Sequence, residues 1–148
     1  MRLNEILSVK GSAVHCISPE ATLQDVVKAL VEHGIGSLVV CRSDSAGEKE
    51  ILGIITEHDI LYACVAGSRP LTEVTVGAAM SATLVTATPE DEVEAVMGLM
   101  TTRRIRHLPV LVGGRLAGMI SIGDVVKAQH DRLAMENQFM KDYIGKGN

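Results

Sequence analysis

Apolar positions recur along this chain with two periods. Leu23, Val26, Val27, Leu30 and Val31 stand at helical spacing, as do Val93, Val96, Met97 and Met100, which predicts two amphipathic helices with one apolar face each. Each is followed by a pair of short apolar runs bounded by turn residues, 37–41 with 51–55 and 107–112 with 116–120, and these predict paired strands. A second helix then begins near Thr56 or Ser121 and runs through Ile60, Leu61 and Cys64, or through Val125, Val126 and Ala128. Gly67, Ser68 and Pro70 interrupt the pattern over 66–70 and divide the halves.

The halves are repeats. Residues 18–40 lie over 88–110 at an offset of 70, which matches Pro19 with Pro89, Val26 with Val96, Ile35 with Ile105 and Leu38 with Leu108. Residues 53–63 lie over 118–128 at an offset of 65, matching Gly53 with Gly118 and Asp59 with Asp124. The slip of five falls in the polar stretch 41–52, whereas the second copy turns tightly at Gly113 and Gly114, as expected of a hairpin tip. The expected class is α+β, two tandem β-α-β-β-α motifs packed around a pseudo-twofold axis, because neither half alone covers both faces of so short a sheet. The cleft between the halves is where a ligand is expected to lodge. One module should span 1–148, with a first motif at 7–67, a second at 74–130 and a helical extension at 131–148. That extension carries Leu133, Met135, Phe139, Met140, Tyr143 and Ile144, and is expected to pack on a partner or return to its own body.

Composition narrows the function. A chain of 148 residues, 47% apolar and almost wholly aliphatic, builds its core without disulfides or metal. A net charge of −4 with interspersed signs argues against a nonspecific nucleic-acid binder. Cys16, Cys41 and Cys64 are odd in number and widely spaced, so no disulfide framework is expected and the reducing cytoplasm fits best. No apolar run approaches membrane-spanning length and the start lacks a signal-peptide core, so neither insertion nor export is expected. The five histidines lack zinc-site spacing, no nucleophile stands beside a base and no Walker-type glycine loop occurs, so neither metal nor catalysis is expected.

The chemistry concentrates at the end of each last strand. There a hydroxyl and an acid recur three residues apart, Thr56 with Asp59 and Ser121 with Asp124. One reading is a capping box, in which both side chains satisfy free N–H groups at a helix start. The other is a carboxylate that accepts both hydrogens of a ribose cis-diol while the hydroxyl meets sugar or phosphate. The same residues serve both. Arg103, Arg104 and Arg106 cluster ahead of the second hairpin. Arg103 and Arg104 also fit a solvated helix end, and Arg106 is the better phosphate partner.

The paired pattern of Gly, two apolar residues, Thr or Ser, any two residues, Asp resembles the CBS domain, as do Ile105, Arg106, His107, Leu108, Pro109 and Val110. The likeness runs from 7 to 128. It implies two adenosine-ligand sites between the motifs, for AMP foremost and also NADH, NAD, ATP or S-adenosylmethionine, in a regulatory module without catalysis that assembles as a homodimer. It places Asp124 and Ser121 on one ribose, with adenine against Val14, His15, Ile35, Gly36 and Ser37. The mirror site would use Asp59 and Thr56, with adenine against Leu84, Val85, Ile105 and His107. The competing expectation is a structural module that dimerises without any nucleotide, its Asp residues serving only as caps.

Overall fold

A computed structural model describes residues 1–67 and 69–146; the breaker Ser68 and the last two positions of the expected extension lie outside the described residues. In chain order the elements are α1 (Leu3–Lys10), β1 (Cys16–Ile17), α2 (Leu23–His33), β2 (Ser37–Ser43), β3 (Lys49–Thr56) and α3 (Glu57–Ala66). A 3-10 turn at Leu71–Glu73 leads to α4 (Val76–Ala79), α5 (Val93–Arg103), β4 (His107–Val112), β5 (Arg115–Ser121) and α6 (Ile122–Lys146). The two expected α+β units are present.

Both hairpins keep the same register. Val40 faces Gly53 and Cys41 faces Ile51, so Leu52 is skipped; Val110 faces Gly118 and Leu111 faces Leu116, so Ala117 is skipped. Each bulge lies next to the glycine of the repeated motif, where it adds local twist. The outer strands differ. β1 pairs with β2 in parallel, and the Val39 amide donates to the His15 carbonyl at 3.1 Å. Pro109 stands at the matching place in β4 and has no N–H, so the second unit keeps only an isolated bridge between Ala87 and Val110.

Each unit has its own core. Leu23, Val26, Leu30, Leu38, Val40 and Ile55 fill the first, and Val93, Val96, Met100, Leu108, Val110 and Ile120 fill the second. The segments that close these cores are exchanged. Val76 of α4 is buried in the first core, and Leu3 and Ile6 of α1 are buried in the second. The backbone repeats the exchange, with Val76 N–H donating to Ala21 and Gly77 N–H to Pro19, against Leu3 N–H to Asp91 and Asn4 N–H to Pro89.

The covering segments do not follow the repeat in chain order. Residues 7–10, placed at the start of the first motif, belong to a helix that covers the second unit, and the range 74–130 opens on residues that cover the first. Burial of apolar area follows spatial proximity and ignores chain order. No break separates 130 from 131: α6 continues through the extension, where Leu133, Met135, Phe139 and Tyr143 are exposed rather than folded back on the body.

The α2 helix ends at Gly34 in the left-handed region (φ 63°), and the matching end of α5 places Arg104 there (φ 54°). A side chain in that region costs about 1–2 kcal/mol. Arg104→Gly is expected to raise stability by about 0.5–1 kcal/mol, the relief being partly offset by a more flexible unfolded chain, as read from urea unfolding midpoints.

Candidate functional site

The repeated hydroxyl and acid sit at two matching corners, where β3 enters α3 and β5 enters α6. Both are capping boxes. Asp59 Oδ2 accepts from the Thr56 N–H at 2.9 Å and from the Thr56 hydroxyl at 3.2 Å, while the Asp59 N–H donates to Thr56 Oγ1 at 3.4 Å. Asp124 Oδ2 accepts from the Ser121 N–H at 2.8 Å, and the Asp124 N–H donates to Ser121 Oγ at 3.1 Å. Among the described residues neither Oδ1 accepts a hydrogen bond, and no buried side-chain oxygen lacks a partner, so both Oδ1 atoms reach solvent. Capping thus uses one oxygen and leaves the other open to solvent.

Thr22 and Asp25 make the same box at α2, with Asp25 exposed. What sets the two repeated corners apart is the glycine three residues before the hydroxyl. A Cβ on Gly53 would lie 2.5 Å from the Ser81 carbonyl, and one on Gly118 would lie 2.7 Å from Leu7 Cδ2. The missing side chains let a foreign segment cross each strand beside the carboxylate. Ser81 bridges Ile54 through two 3.0 Å backbone bonds, and the Lys10 ammonium donates to the Met119 carbonyl at 2.7 Å.

Lys10 was not legible in the sequence. Its ammonium lies 2.6 Å from Asp124 Oδ2, at a helix end more than a hundred residues away in the chain. Burial works to raise the Asp124 pKa, yet the Lys10 hydrogen bond and the Ser121 N–H and hydroxyl outweigh it and hold the carboxyl below its ordinary value. His107 is held below the ordinary imidazole value by burial first and then by Lys10 and Arg106, against the pull of Glu57 and Asp124. The corner around Asp124 thus gathers Ser121, His107, Arg106 and Lys10.

The expected walls divide. Val14 lines a cavity with Arg115 and Leu116 of β5, whereas Val85 packs against the second core. His15 is exposed, its ring stacked on His33 at 3.9 Å. Ser37 pairs with Thr56 and His107 with Ser121, because hairpin register joins a strand start to the following helix start. Gly36 spans the units, since a Cβ there would lie 3.5 Å from His107 Cε1 and 2.6 Å from Glu57 Oε1. Ile35 and Ile105 pack against the first and second cores, so they are core residues before they are adenine walls.

Two cavities flank this arrangement. One of about 340 Å³ takes walls from both units, including Val14, Cys16, Lys49, Arg115 and Leu116. The other, about 470 Å³, lies between α2 and α3 and is lined by Val27, Val31, Ile35 and Leu61. Cys16 and Cys41 are reduced with their sulfurs 3.4 Å apart, and burial followed by the Cys16 hydrogen bond pushes the Cys41 thiol up to about 12. Among the described residues no group of three or more His, Cys, Asp or Glu side chains is placed to hold a metal, and no helix is long and apolar enough to cross a membrane.

The CBS domain model matches the chain twice, over 8–66 and 76–131. The mitochondrial CBS domain-containing protein CBSX3 of Arabidopsis thaliana is 40% identical over 143 residues, which are 95% of this chain and 68% of that protein. The crystal structure of a CBS-domain containing protein from Agrobacterium tumefaciens superposes with a TM-score of 0.79 at 36% identity, covering 87% of this chain and 99% of the other. The CBS domain pair of protein MJ0100, solved with 5′-methylthioadenosine and S-adenosyl-L-methionine, shares the fold at TM-score 0.74 and 22% identity, over 89% of this chain and 98% of that one.

Proposed function

From the premise that the chain belongs to the CBS-domain family, we propose that it is a regulatory module that binds adenosine ligands, AMP foremost, at the Asp59 and Asp124 corners. The module is regulatory and not an enzyme: CBS-domain proteins match it along nearly its whole length. The observation that carries the ligand reading is the pair of capping carboxylates, each with one oxygen spent on its helix and the other open to solvent beside a crossing segment. A ribose diol donating to such a fixed carboxylate meets an acceptor already oriented, so little ordering cost remains.

Further along β5 from the Asp124 corner lies the cavity lined by Val14 and Leu116. Met119 and Leu116 are three residues, about 10 Å, apart on the strand. Lys10 crosses at the first, and the cavity shared by Val14 opens at the second. That span suits an adenosine lying between ribose at Asp124 and adenine at Val14. Ligand bridging the units favours one relative arrangement of the two, and a partner reads it. The exposed apolar side chains of α6 supply a surface for a homodimer, and the three reduced cysteines suit the cytoplasm.

Asp124→Asn keeps an oxygen for the cap and removes the charge that grips the diol. It is expected to weaken AMP binding at this corner by about 10–100-fold in calorimetry, the worth of one or two charge-assisted hydrogen bonds, with the melting point of the free protein little changed. If AMP, ATP, NAD, NADH and S-adenosylmethionine all leave the melting point of the unaltered protein in place, the purely structural module is the correct reading.

A further inference from the structure

The two corners repeat in sequence yet differ in charge. Leu7 and Met80 hold matching places, each over the motif glycine, Gly118 or Gly53. Three residues further stand Lys10 and Thr83. The α1 helix reaches Lys10, whereas α4 stops at Ala79, so only the Asp124 corner receives a cation carried on a helix end. Arg106 stands beside His107 at that corner where the first unit has Gly36, and Glu57 stands at the other corner where the second unit has Ile122. Among the described residues Asp59 makes no salt bridge, while Asp124 is paired with Lys10 at 2.6 Å.

We propose that Lys10 sets the ligand charge at the Asp124 corner, selecting a phosphorylated adenosine there and leaving the Asp59 corner to bind through the nucleoside alone. The inference rests on the nucleotide-binding reading above. A diol that donates to the open Asp124 Oδ1 draws on the same carboxylate charge that Lys10 holds through Oδ2. A neutral nucleoside then leaves the ammonium short of a counter-charge. A phosphorylated one offers new acceptors, and the flexible four-carbon stem lets the ammonium turn to them while its backbone stays fixed. That backbone is fixed by Leu3 and Ile6 in the second core and by Leu7 against Gly118. The same lysine thus penalises adenosine and rewards AMP.

The test uses the full chain in an Asp59→Asn background, which isolates one corner, with calorimetric titration of AMP and of adenosine. Lys10→Met is expected to weaken AMP by about 10–100-fold, the loss of a charge-assisted contact, while adenosine binds as before or more tightly. Lys10→Arg is expected to keep the preference for AMP, and Lys10→Gln to lose it like Met, so the conclusion does not hang on one variant's folding. Equal weakening of both ligands, or no change in their ratio, overturns the proposal while leaving nucleotide binding in place. If the Asp59→Asn parent binds neither ligand, nucleotide binding at the Asp124 corner fails and the role of Lys10 fails with it.

Discussion

Replacing Leu3 by Ala is expected to cost about 2–5 kcal/mol of stability, the range for emptying a buried leucine site. Leu3 is 0% exposed and belongs to the same core as Val93, Leu108 and Ile120, which stand 90 to 117 residues further along the chain. Its neighbours cannot close the gap easily, because α1 is held at the second unit by the Leu3 and Asn4 amide bonds to Asp91 and Pro89. Urea unfolding would read the loss as a lower midpoint, and hydrogen exchange should show protection falling first in α5, β4 and β5. Val9, on the same helix and 87% exposed, is the control, and its change to Ala should be nearly neutral. A loss for Leu3→Ala below about 1 kcal/mol, that of an ordinary surface change, would mean that α1 does not close the second core.

The second large effect separates two glycines that the repeat makes equivalent. Gly53→Ala places a Cβ 2.5 Å from the Ser81 carbonyl and 2.9 Å from Met80 Sδ. Backbone must move, and the pair of Ile54–Ser81 hydrogen bonds lies in its way. Overpacking of this kind costs about 1–3 kcal/mol, and the higher figure is expected here. Gly118→Ala meets the tip of the Leu7 side chain at 2.7 Å, with no backbone atom among its nearest contacts. A leucine tip can turn to another rotamer, so about 1 kcal/mol or less is expected. Thermal unfolding of the two variants side by side checks the order, and equal costs would show that the crossing at Ser81 is as soft as the one at Leu7.

Much of the site was legible because caps and strands follow local rules. Thr56 with Asp59 and Ser121 with Asp124 advertise helix starts by type and spacing, and both form the boxes expected of them. The glycines before them were legible as part of the repeated motif, but their purpose was not. Only coordinates show which segment crosses there. Hairpin register then ties Ser37 to Thr56 and His107 to Ser121. Lys10 had no sequence signal, since a lysine at the end of an amphipathic stretch reads as a solvated cap and its partner is 114 residues away.

The sequence by itself determined the repeat, the two apolar faces, the paired strands of each hairpin and the four capping side chains, because each is written in residue types at short, fixed spacings. The tertiary structure alone decided that α1 and α4 exchange units, that Pro109 leaves the second sheet one strand short, and that one of two equivalent carboxylates carries a lysine. Those outcomes depend on which distant surfaces meet. Apolar burial and charge pairing act through space, and a repeat in the chain does not make their surroundings equal.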